Sequence, residues 1–152
     1  MDPNTLKNIY LFQNLTPDEL SRVVKIGVTE NFKEGSFIFK EGDPGDKLYV
    51  IISGAVRISR KINGSEEALA ILRPGNFFGE MSLIDDIERS ADAIAHEDCS
   101  LMTIKKDDFD SMLFVNKDLA YSILWSFVRT LSERLRETNE KIKSLLSMKG
   151  GF

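Results

Sequence analysis

The chain has 152 residues, 42% of them hydrophobic and 29% charged, with a net charge of −4. These values fit one globular domain with a real core and count against a nucleic-acid binder relying on phosphate contacts, whose face would be basic. One cysteine, Cys99, excludes an intrachain disulfide; no apolar run nears the ~18 residues of a bilayer span, no secretory signal is visible, and a cytoplasmic protein is expected.

Residues 4 to 25 carry helical periodicity within an N-terminal helical region, 1–26. Leu6, Ile9 and Tyr10 share one face, and Leu20, Val23 and Val24 another. Thr16-Pro17, followed by Asp18 and Glu19, predicts an N-cap with proline at the first helical position.

Over 27–105 the pattern turns to short strands separated by KEGS, EGDPGD, ISGA, INGS and RPGN. That punctuation predicts a sandwich or barrel of antiparallel strands. Val56 and Ile58 alternate with Arg57 and Ser59, as on a strand with one wet face. Asn63-Gly64 suits a hairpin turn, since both residues tolerate positive φ.

The stretch GNFFGEMSLIDDIERSA, residues 75–91, carries the chemistry. Phe77-Phe78 ends a strand, and Gly79 allows close backbone approach to a ligand. Glu80 to Ile84 fits a single helical turn, whose first N–H groups, including those of Met81 and Ser82, attract an anion. A sugar hydroxyl would donate to Glu80. Arg89 offers a planar fork for phosphate oxygens, with the Ser90 hydroxyl beside it. Taken singly, Arg89 reads equally as a partner of Glu88, and Glu80 as an ordinary first-turn carboxylate. Together they describe capture of one phosphate and one ribose. No phosphate loop for a triphosphate and magnesium is present in the sequence.

After Lys105 the chain is helical again, over 106–148. A short helix is predicted for about 107–113. Asn116 is placed as the cap of a long helix reaching about Met148, and KGGF as its stop. Leu124, Val128, Leu131, Leu135, Thr138, Ile142 and Leu145 follow a 4-3 alternation, with Val128, Leu135 and Ile142 at a and the others at d. This pattern predicts a parallel homodimer through residues 117–148. About 30 helical residues extend ~45 Å, longer than a domain of this size covers. Ala120, Ile123 and Phe127 form a second stripe expected to pack on the chain's own strands. Thr138 is the polar interruption of the seam.

The sequence resembles the cyclic nucleotide-binding domain family of catabolite activators, cAMP-dependent kinase regulatory subunits and gated channels. The resemblance rests on LFQNLTPDEL, EGDPGDKLYVIISGAVRI, the cassette 77–91 and RLRETNEKIKSLL, and covers nearly the whole chain. It implies an α+β, mainly β fold: an eight-stranded β-roll, or jelly roll, flanked by N-terminal helices and a long C-terminal dimerisation helix. It implies that Glu80 accepts from the ribose 2′-hydroxyl, and that Arg89, Ser90 and the N–H groups after Gly79 hold the cyclic phosphate. Thr138 would contact the adenine of its own subunit, and Asn139 the adenine held by the partner. Ser90 favours cAMP, since cGMP readers more often carry threonine there. Asp92, where threonine or an apolar residue is common, is expected to point outward.

The resemblance thus implies a cAMP-binding regulatory module without catalysis, metal or cofactor. Catabolite activators continue into a helix-turn-helix domain and this sequence stops at Phe152. The expected effector is therefore a partner protein rather than nucleic acid. The alternatives are the sensor piece of a DNA-binding regulator, a relative that has lost nucleotide binding, and a heme sensor using His96 and Cys99, which otherwise read as a surface-turn histidine and a half-buried cysteine. A phosphodiesterase would need several metal-ligating histidines and aspartates, and the chain has one histidine.

Overall fold

A computed structural model describes residues 1–149. Two 3-10 segments, Pro3–Asn8 and Tyr10–Phe12, lead into helix α1, Pro17–Ile26. Eight strands follow: β1 Gly27–Phe32, β2 Phe37–Phe39, β3 Lys47–Ser53, β4 Val56–Ile62, β5 Ser65–Leu72, β6 Phe77–Phe78, β7 Asp92–Ala95 and β8 Cys99–Lys105. Helix α2, Glu80–Asp85, lies between β6 and β7. Helices α3, Lys106–Val115, and α4, Lys117–Met148, complete the described chain.

The strands form two antiparallel four-stranded sheets, ordered β1-β8-β3-β6 and β2-β7-β4-β5. This is the expected β-roll. β3 shows why KLYVIIS is almost continuously apolar: both its faces are covered. Leu48 and Val50 pack toward the helices, whereas Tyr49 and Ile51 point between the sheets. Phe77 and Phe78 divide in the same way. Phe77 meets Phe127 of α4 edge-on at 5.1 Å, and Phe78 stacks on Tyr49 at 5.0 Å. The cassette therefore starts from a dipeptide anchored in both cores.

Local signals in the sequence are realised closely. Thr16 and Glu19 form a reciprocal capping box below Pro17. Asn63 and Gly64 both take positive φ, at 54° and 81°. α2 covers the expected turn, and the short helix begins one residue earlier and ends two later than predicted.

Five expectations need correction. Tyr10 is exposed while Leu6 and Ile9 are buried, because two 3-10 segments replace a continuous helix. Ser59 lies fully buried on the face read as wet. Asn116 precedes α4 but its side chain does not cap it; Nδ2 donates instead to Met112 O of α3. Asp92 is buried, and its carboxylate accepts the Glu41 N–H at 2.8 Å. Cys99 sits inside the inter-sheet core, and half-buried His96 lies 3.1 Å from an Arg57 nitrogen through Nδ1. The expected stop after Lys149 lies outside the described residues.

α4 shows two distinct faces. Leu119, Ile123 and Phe127 are buried on the chain's own core, with Ala120 only partly covered. Leu124, Val128, Leu135, Ile142 and Leu145 are each half exposed or more. These seam residues are therefore not core of this chain, and Leu131 between them is partly covered. No described helix is long and apolar enough to cross a membrane.

Candidate functional site

Arg89 is the centre of the cassette. It follows α2 and is almost wholly buried. Nη1 donates to Gly79 O and Nη2 to Lys47 O, each at 2.8 Å. Its guanidinium lies over the Phe39 ring at 4.3 Å, with Tyr49 at 5.7 Å. Burial pulls the arginine below its ordinary value, while Tyr49 and the carboxylates of Asp46, Glu80 and Asp43 push the other way. Nε is buried and has no hydrogen-bond partner among the described residues. A desolvated cation with an orphaned donor is costly unless an anion meets it.

The EGDPGD turn holds this arginine in place. Arg89 N–H donates to Asp43 O, and Gly42 N–H donates to Arg89 O, both at 2.9 Å. A Cβ on Gly45 would lie 1.9 Å from Ser82 Cβ, so this glycine lets the turn lie against α2.

Gly79 takes φ 82°, and a Cβ there would sit 2.7 Å from Arg89 Nη1 and 3.2 Å from Lys47 O. Its missing side chain makes room for the arginine. Gly79→Ala is expected to cost roughly 1–3 kcal/mol through positive φ and overpacking. Urea unfolding checks this, and an unchanged midpoint would mean that the arginine can move aside freely.

Gly79, Met81, Ser82, Arg89 and Ser90 line a small hollow of about 50 Å³, closed by Phe39, Ile58 and Ala91. Ile58 and Met81 also border a cleft of about 740 Å³ running between β5 and α4. Glu80 and Thr138 line that cleft. Thr138 lines the cleft from a seam position, its hydroxyl donating to Arg134 O of its own helix at 2.8 Å. Asn139 is exposed and lines neither space.

The sequence reading missed Arg134. Its Nη1 donates to Glu80 Oε1 at 3.0 Å, Nη2 donates to Phe77 O, and the guanidinium lies 4.7 Å from the Phe77 ring centre. Glu80 is buried, so this pair fixes the carboxylate and ties α4 to the cassette. A signal was present. Extending the inward stripe Ile123, Phe127 by the same 3-4 spacing reaches Thr130 and Arg134.

Fold and hollow together define a β-roll with a buried, partly unpaired cation beside a small hollow. The model of the cyclic nucleotide-binding domain matches residues 29–116. The chain belongs to the cyclic nucleotide-binding domain family. It is 36% identical over 92% of its length to the cyclic AMP receptor protein of Thermus thermophilus, covering 63% of that protein. It is 32% identical over 90% of its length to a CRP-like cAMP-activated global transcriptional regulator of Mycobacterium tuberculosis, covering 59% of it. A cyclic nucleotide-binding domain from Methylobacillus flagellatus superposes with TM-score 0.82 at 26% identity, over 93% of this chain and 80% of that one. The chain thus spans less than two thirds of either curated relative.

Proposed function

We propose that the chain is a cAMP-binding sensor module, parallel-dimeric through α4, that turns nucleotide binding into a change of α4 packing. The observation that carries this reading is buried Arg89, which lines the hollow beside the α4 cleft and whose Nε has no hydrogen-bond partner among the described residues. A cyclic phosphate would take that donor, with Ser90 and the first-turn N–H groups of α2 beside it. The ribose 2′-hydroxyl would donate to Glu80, whose carboxylate Arg134 holds in position. The base would then lie along the cleft toward Thr138. Asn139 would reach the adenine bound by the partner. Catalysis is not part of this reading.

The signal follows from the contacts of one arginine. Arg134 belongs to α4, yet its donors end on Glu80 and Phe77 of the cassette. A nucleotide that shifts Glu80 therefore shifts the helix carrying the seam. Such a ligand changes the packing only as far as it binds one arrangement more tightly. The two curated relatives point the output toward transcription rather than toward the partner protein expected from the sequence. In that reading the chain is the sensor portion of a DNA-binding regulator.

Displacement of a fluorescent cAMP analogue by cAMP, cGMP and cyclic dinucleotides tests ligand choice. cAMP is expected to compete most strongly, and preferential displacement by a cyclic dinucleotide would replace this reading.

Thr138→Leu probes the link between cleft and seam. Leucine at d packs better than threonine, so the nucleotide-free dimer is expected to tighten. cAMP is expected to bind more weakly, by roughly 1–3 kcal/mol, because the base loses a polar partner. Sedimentation with and without cAMP reads both effects. If neither changes, Thr138 is an ordinary solvated residue and the seam register is wrong.

A further inference from the structure

The geometry points to Lys141 as a clasp that closes the base end of the cleft by gripping the β-bulge of β5. The inference deepens the proposed function, and rests on the cleft being the nucleotide site.

β4 and β5 pair in register from Ile62↔Ser65 to Ser59↔Ala68, and resume at Ile58↔Ala70. Leu69 is the extra residue, without a partner in the ladder. A bulge of this kind bends its strand and re-aims the unpaired groups. The Lys141 ammonium points at Leu69 O from 3.4 Å across the cleft. Lys141 and Leu69 both line the cleft that Thr138 and Glu80 also line.

The direction of the lysine is informative. Glu137 lies one turn earlier on α4, the favourable order for an i,i+4 pair along a helix. The ammonium nevertheless makes its hydrogen bond, among the described residues, to a carbonyl 72 positions away in sequence. At 3.4 Å this bond is loose. A base seated between Thr138 and Leu72 would have α4 on one side and the bulge on the other. Drawing the lysine onto Leu69 O would close that end and slow escape, with little effect on entry. Lys141 is thus a positioning residue: it retains the ligand through the β4–β5 hairpin.

Two comparisons test the clasp, each on the wild type, Lys141→Met and Lys141→Arg. Hydrogen exchange without nucleotide follows the amides of residues 69–72. Stopped-flow chase of a fluorescent cAMP analogue follows release. Lys141→Met is expected to exchange faster over 69–72 and to release the analogue about tenfold faster, the equivalent of ~1.4 kcal/mol. Its association rate is expected to stay within about twofold of wild type, since affinity changes within a series fall mostly on dissociation. Lys141→Arg keeps charge and reach and is expected to restore both readings. Unchanged exchange over 69–72 in Lys141→Met overturns the clasp. A wild type that takes up no analogue sinks the nucleotide reading instead, and the exchange comparison still decides the clasp.

Discussion

Arg89→Ala is expected to lower cAMP affinity by at least a hundredfold. The substitution removes the cation at the hollow, and truncating one member of a buried charge pair costs ~2–5 kcal/mol. It also leaves Gly79 O and Lys47 O without the donors they now accept from. A fall in the thermal midpoint of a few degrees is therefore expected beside the loss of affinity. Arg89→Lys separates the two effects. A lysine restores charge but cannot serve two carbonyls and a phosphate from a planar fork, so affinity is expected to recover little. Calorimetry of the three proteins, with circular dichroism as the check on folding, reads the outcome. Equal affinity in wild type and Arg89→Ala would remove Arg89 from the site.

Leu135→Asp is expected to convert the proposed dimer to monomer. Leu135 is 61% exposed in the single chain, so an aspartate there costs this fold little. In the seam it would place two carboxylates against each other at a position. Burying such unpaired charge costs several kcal/mol, about 3–5 where a partner is missing. A rise of more than a hundredfold in the dimer dissociation constant is expected by sedimentation equilibrium. The contacts of Arg89, Glu80 and Arg134 described here all lie within one chain, so the monomer is expected to keep part of its cAMP affinity. A Leu135→Asp protein that stays dimeric would place the interface on another face.

The features read from sequence correctly are those encoded locally. The capping box needs only Thr16 and Glu19, and the hairpin needs only Asn63 and Gly64. Phe77-Phe78, Gly79 and the α2 turn follow from neighbouring residues, and so does the exposed seam on α4. Glu80 and Arg89 stand out as site candidates because charged side chains are unusual in an apolar run. What escaped depends on contacts far along the chain. Arg134 looks like one of several solvated charges in RLRETNEK until Phe77 and Glu80 are placed beneath it. Asp92 looks outward-facing until the Glu41 N–H arrives from 51 positions away. The EGDPGD turn reads as mere punctuation, whereas Gly42 and Asp43 fix the backbone of Arg89. Gly79 reads as room for a ligand, and its absent side chain also makes room for Arg89.

The most direct measurement is a calorimetric titration of the wild-type chain with cAMP, in parallel with sedimentation of the same samples. The account predicts saturable heat corresponding to one cAMP per chain. It also predicts a dimer whose hydrodynamic behaviour changes as sites fill. Absence of saturable heat would contradict the assignment of the hollow and cleft as a cAMP site.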